Sequence, residues 1–177
     1  DLIHTTEIQK NDRPYASFMT VGLKHISTDP DAATKLHTEY VLGVMGPAAQ
    51  GEFIQNNFHD MINRPHAEGW QNQLRNDVVL NMNIVAEKGF NIKLSNVEAM
   101  GIFEANVGTL MSYAGVGGMI RAGFLNNYFA NTLPLSTGDR KFQNYIFVRP
   151  MVRFVADNAL LEGGMFSFRE CPYIVRR

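Results

Sequence analysis

Apolar and polar residues alternate with a period of two along most of the chain, the pattern of strands with one apolar face and one polar face. Residues 15–24 set Tyr15, Met19, Val21 and Leu23 against Ala16, Thr20, Gly22 and Lys24. Residues 35–44 set Leu36, Tyr40, Leu42 and Val44 against Lys35, His37, Glu39 and Gly43. Residues 78–87 and 97–107 repeat the pattern, with Asn81, Asn83, Glu87, Glu98, Glu104 and Asn106 on the polar parity. Two further runs, near 114–124 and 142–156, place Arg121, Arg149 and Arg153 there. The prediction is an all-β, antiparallel fold of about six strands. At ten or more residues they exceed the ~5–6 usual in globular sheets and match the ~9–11 of a tilted membrane strand. Charges and asparagines gathered on one parity suit a polar lumen inside a lipid-facing exterior. A soluble barrel or sandwich with one wetted face is the alternative that alternation leaves open. Pro150 interrupts the last run, because proline lacks a ladder donor and belongs at an edge or bulge.

The period changes between the second and third runs. Pro47 suits a first helical position, and the following residues predict one amphipathic helix near 48–62 that ends before Pro65. Phe53, Ile54, Phe58, Met61 and Ile62 span one half of its wheel, and Glu52, Gln55, Asn56, His59, Asp60 and Asn63 span the other. Gly51 falls inside it, at a cost of about 1 kcal/mol relative to alanine. A helix between two strands is expected to cap or line one end of a barrel. Glu52, Gln55 and His59 are three and four residues apart and project from one side. A histidine held on a rigid element is a candidate general base, because imidazole titrates near working pH. A solvated polar face that merely contains a histidine is the competing reading.

Composition narrows the classes. The chain has 177 residues, a formal net charge of -1 and 19% charged residues, with no Lys/Arg run that would attract nucleic acid. A single cysteine, Cys171, rules out an internal disulfide and a cysteine-based zinc site. No apolar stretch approaches the ~18 residues of a membrane helix, which leaves a membrane β-barrel open. Neither a G-x-S-x-G elbow nor an H-E-x-x-H pair occurs. Gly115, Gly117 and Gly118 lie in an alternating run, which points to close strand packing. His37 and Glu39 read as a solvated lumen pair, and Asp12 with Arg13 as a turn holding a salt bridge.

Several segments taken together carry a resemblance. Asn11-Asp12-Arg13-Pro14-Tyr15-Ala16 opens a strand; Leu42-Gly43-Val44-Met45-Gly46-Pro47, Gly51-Glu52, Gln55, His59, Gly69-Trp70, Gln73-Leu74 and Asn76-Asp77 follow in order. This series resembles the outer-membrane lipid A 3'-O-deacylase family of Gram-negative bacteria, with the matching motifs clustered in residues 11–77. Arg121-Ala122-Gly123 and residues 158–163 match more weakly. The resemblance implies a twelve-stranded antiparallel barrel with its active site at the extracellular rim, where a loop helix presents a histidine, here His59. It implies hydrolysis of an acyl ester of lipid A by a water that the histidine activates, with bound calcium stabilising the oxyanion. Gln55 and Glu52 would orient His59 or the site around it. Arg13 and Tyr15 would meet the substrate, the guanidinium pairing with phosphate. The implied partners are lipid A or lipopolysaccharide and outer-membrane lipid, with no nucleic acid and no protein partner. A barrel of the same ancestry that binds lipid or forms a pore without catalysis is the alternative.

The sequence departs from the family pattern in places. The family's first two strands carry an Asn-Asp pair and a Thr or Ser that complete the site, and no segment here matches them, so the metal's ligands stay unassigned. An acidic residue six positions after the histidine, present in some members, is Pro65 here, with Glu68 or Asp77 as candidate substitutes. Ser17 stands where the family usually has glycine. Because six strands cannot close such a barrel, residues 1–177 are expected to form one β-barrel domain incomplete at both ends, lacking about two strands before Asp1 and several after Arg177.

Overall fold

The computed structural model describes residues 5–8, 10, 12–92, 94, 96–130, 142–166 and 170–175; Asn11 of the N-D-R-P-Y-A motif and the terminal Asp1 and Arg177 lie outside them. One antiparallel sheet runs in chain order through β1 (Phe18–Asp29), β2 (Thr34–Met45), β3 (Asp77–Phe90), β4 (Val97–Gly108) and β5 (Met111–Phe124). Both β6 (Asn144–Val148) and β7 (Met151–Asn158) then pair with β5, and in a single register: Val148 faces Ile120 and Met151 faces Gly117. They are two halves of one strand, interrupted at Arg149 and Pro150. There the Pro150 carbonyl accepts from the Gly118 amide at 3.1 Å, and proline has no N–H to return. Counted so, the sheet is the six-stranded antiparallel half-barrel that the alternation predicts.

Two expected boundaries move. The first strand begins at Phe18 rather than Tyr15 and continues to Asp29. Tyr15 is taken by a loop, its carbonyl accepting from the Leu74 amide at 2.9 Å, and at the far end Asp29 Oδ1 caps the turn through the Ala32 amide at 2.9 Å. The helix α1 occupies Gly51–Met61, preceded by a separate 3-10 turn at Pro47–Ala49, so it starts later than its periodicity suggests. Gly51 is consequently the first helical residue and not an interior one. A Cβ there would lie 2.4 Å from Ser17 Cβ and 2.8 Å from Trp70 Cη2, so glycine lets the helix start close against the sheet rim.

Each face of the sheet meets one medium. Val21, Leu23, Leu42, Val107, Val116 and Ile120 are exposed on the convex side. The concave side is polar at its waist and apolar at both ends. Arg153 pairs with Glu104, Asn81 donates to Asn106, and His37 Nε2 lies 3.5 Å from Glu87. Glu39 accepts from Asn83 Nδ2 at 3.0 Å, so His37 and Glu39 each reach across to β3 and do not form a pair with one another. At one end Met45, Leu74, Val79 and Ala159 cluster; at the other, Met100, Ile102, Met119 and Phe129 do. Gly117 leaves the room that the Pro150 carbonyl takes, 2.2 Å from where a Cβ would sit, in keeping with close strand packing. No helix among the described residues is long and apolar enough to cross a membrane.

Candidate active site on the loop helix

The connection from β2 to β3 holds α1 and, after it, a segment ending in a 3-10 turn at Gly69–Asn72. Residues 63–68 have no strand to satisfy their backbone, and main-chain polar groups need partners. The polar half of α1 supplies them. Asn56 Oδ1 accepts from the Ala67 amide at 3.0 Å, and His59 Nδ1 lies 2.6 Å from the Pro65 carbonyl. Gln55 Oε1 accepts from Trp70 Nε1 at 2.7 Å, and Asp60 Oδ1 lies 2.7 Å from His66 Nε2. Trp70 is buried and meets the Tyr15 ring edge-on, centroids 5.1 Å apart. Burial, and then the negative charge of Asp12, raise the Tyr15 hydroxyl above the usual tyrosine range.

This geometry fixes a tautomer. A carbonyl oxygen can only accept, so His59 Nδ1 carries the proton and donates it to Pro65. In the neutral ring the lone pair then sits on Nε2, which has no hydrogen-bond partner among the described residues. Pro65 occupies the position six residues after His59 where some family members carry an acidic side chain, and its main-chain oxygen meets the imidazole. Neither candidate substitute bonds to the ring. Glu68 is exposed, and Asp77 is buried with its carboxylate accepting from the amides of Phe166 at 2.7 Å and Val78 at 2.6 Å.

The other expected residues are placed as follows. Gln55 is engaged with Trp70, and Glu52 is exposed, so the contact that orients the imidazole comes from neither. Tyr15 joins the group indirectly, through Trp70 and Gln55. Arg13 is exposed, and Asp12 Oδ1 accepts from its backbone amide at 2.8 Å; among the described residues its guanidinium has no ion pair, so the expected salt bridge is a local backbone cap instead. Sequence reasoning missed Asn56, His66 and the role of Trp70; the ordered G-W motif after the helix was the one available signal.

Beside this constellation lies a cleft of about 550 Å³, lined by Gln50, Glu52, Asn56, Asp60, His66 and Gln73 among others. Gln73 is buried, and its Oε1 has no hydrogen-bond partner among the described residues. Planar amides and carboxylates of this kind suit a hydroxyl-rich ligand. Among the described residues, no three His, Cys, Asp or Glu side chains converge where a metal ion could be held.

Residues 1–176 match the model of a family described as outer membrane protein LpxR. No curated protein matches the chain. Among solved structures, LpxR from Salmonella typhimurium is similar at 24% identity with a TM-score of 0.71, the match covering 94% of this chain and 60% of that one. At that identity the likeness is one of fold, and this chain spans about 60% of the length of that structure.

Proposed function

Because the chain belongs to the outer membrane protein LpxR family, and is thereby an outer-membrane protein, we propose that it serves to remove an ester-linked acyl chain from lipid A, with His59 as the general base. The observation that carries this reading is the His59 Nδ1 contact to the Pro65 carbonyl, which leaves Nε2 as the basic atom on a helix pinned by its own polar face. Nε2 takes a proton from a water, and the oxygen of that water adds to the ester carbonyl carbon. On collapse the bond from the carbonyl carbon to the sugar oxygen breaks, and the imidazolium returns its proton to that oxygen. General base catalysis of this kind contributes about 10²–10⁴-fold in rate.

The remaining roles follow from position. Gln55 buttresses the helix through Trp70 rather than touching the imidazole. The exposed guanidinium of Arg13, which has no ion pair among the described residues, is suited to a phosphorylated head group, and Tyr15 supports the same rim from behind Trp70. Glu52 lines the cleft, where lipid A sugar hydroxyls would find acceptors. Calcium fits these residues less well. The ion takes about six to eight oxygen ligands, whereas the described residues bring no acidic cluster together.

That same shortfall favours a second reading, a barrel of this family that binds lipid without cleaving it. Mass spectrometry of lipid A incubated with the membrane-inserted protein, with calcium and with chelator, separates the readings. Loss of one acyl mass, abolished in His59→Ala, supports the hydrolase. Unchanged lipid A that nonetheless co-purifies with a folded barrel overturns it in favour of binding alone.

A further inference from the structure

Helix α1 is inverted relative to a helix on a water-soluble protein. Its polar half is spent on the 63–72 segment, and its apolar half is turned outward: Phe53 is 65% exposed, Ile54 61%, Phe58 53% and Met61 71%. A surface helix in water does the reverse and buries its apolar stripe. The sheet beneath shows the same inversion, with polar residues inside and apolar residues outside. The helix also begins on the sheet's outward side. Ser17 extends the β1–β2 ladder, its carbonyl accepting from the Gly46 amide at 2.8 Å, and it shares the parity of Met19, Val21 and Leu23. Gly51 packs against Ser17, so α1 starts where the outward apolar face ends. One polar side chain, Asn57, falls within the apolar arc, between Phe53 and Met61 on the wheel. It folds back, its Nδ2 donating to the Phe53 carbonyl at 2.6 Å. An amide that satisfies its donor on the helix's own backbone suits a medium with no water to offer.

We infer that the Phe53, Ile54, Phe58 and Met61 face of α1 lies in the acyl-chain layer of the membrane, as an interfacial helix continuous with the lipid-facing surface of the sheet. Amphipathic helices of this kind sit about 5–10 Å into the boundary between head groups and acyl chains. Residues 51–61 carry no Lys or Arg, so the attraction argued for this face is apolar. The inference rests on the outer-membrane location and not on hydrolysis, and it stands whether or not the protein cleaves lipid A.

The test is depth-dependent quenching of a fluorophore. In a Cys171→Ser background, Ile54→Cys and Phe58→Cys are labelled with a small environment-sensitive dye, with Glu68→Cys as the exposed control on the neighbouring segment. The labelled proteins are inserted into phosphatidylcholine vesicles whose lipids are brominated on the acyl chains, and correct folding is checked by heat-modifiable gel mobility. The expected result is loss of more than half the emission at 54 and 58, a blue-shifted spectrum and little loss at 68, with aqueous iodide giving the opposite ranking. Strong iodide quenching at 54 and 58 would overturn the inference by showing the face in water. Shielding from both quenchers would overturn it by showing the face covered by protein.

Discussion

Replacing His59 by alanine removes the imidazole whose tautomer the Pro65 carbonyl sets, and with it the proposed general base. Hydrolysis of lipid A is expected to fall at least about 100-fold, with gel mobility of the folded barrel unchanged; activity retained at the wild-type rate would take His59 out of the mechanism. Pro65→Gly tests the same contact from the other side. It keeps the carbonyl but frees the backbone that aims it, and misplacement on the ångström scale is costly in rate, so kcat should drop about tenfold with KM little changed. Gly51→Ala discriminates between two roles for a glycine. A residue that was only a poor helix former would become more stable by about 1 kcal/mol. Here the added methyl meets Ser17 and Trp70, and overpacking of this kind costs about 1–3 kcal/mol, so denaturant unfolding should show a loss. These contacts were not legible in the sequence. Spacing put Gln55, Asn56 and His59 on one side of a helix, but their partners, Trp70, the Ala67 amide and the Pro65 carbonyl, depend on how the following segment folds back.

At the scale of elements, the strands were readable because each sheet face meets a single medium and keeps the period of two intact. Val107 and Val116 on one side and Glu104 and Arg153 on the other carry that pattern, with Val85 as an apolar exception among the inward polar residues. The helix was readable as a helix, but its orientation was not. A wheel divides apolar from polar without saying which half meets the protein, and the usual assumption would have turned Phe53 and Phe58 inward. Boundaries drifted for local reasons, as where Trp70 claims Tyr15 and shortens the start of β1. Pro150 was legible as a break, and the structure shows what it interrupts: one register shared by β6 and β7. Pro150→Ala restores an N–H facing the Gly118 carbonyl. It should join the two halves, add about 0.5–1.5 kcal/mol, and slow amide exchange at residues 149–151.

For the molecule as a whole, the segment after β5 folds over the concave face at the end opposite α1. Tyr128 Oη donates to Glu87 at 2.8 Å, Lys35 Nζ donates to the Tyr128 carbonyl at 2.8 Å, and Phe129 is buried in the apolar cluster there. Burial first, and then the hydrogen bond to Glu87, hold the Tyr128 hydroxyl well above the usual tyrosine range. The folded chain therefore keeps a proton that the unfolded chain gives up. Stability from this group is complete below about pH 10 and declines as pH rises beyond it, since the unfolded state then binds fewer protons. An alkaline titration of phenolate absorbance should show Tyr128 ionising together with the loss of structure, and Tyr128→Phe should shift that loss to higher pH.

The Pro65 carbonyl has a consequence for the conditions under which the site keeps its shape. A carboxylate that aims an imidazole is a charge: counter-ions screen it and acid neutralises it. A peptide oxygen has neither weakness. The orientation of His59 should be indifferent to ionic strength and should persist in acidic surroundings where a carboxylate partner would let go. It is also written in the main chain, so drift in the side chain at position 65 can leave the acceptor in place. An aiming group that responds to neither keeps the imidazole in one orientation over a wide range of salt and acidity.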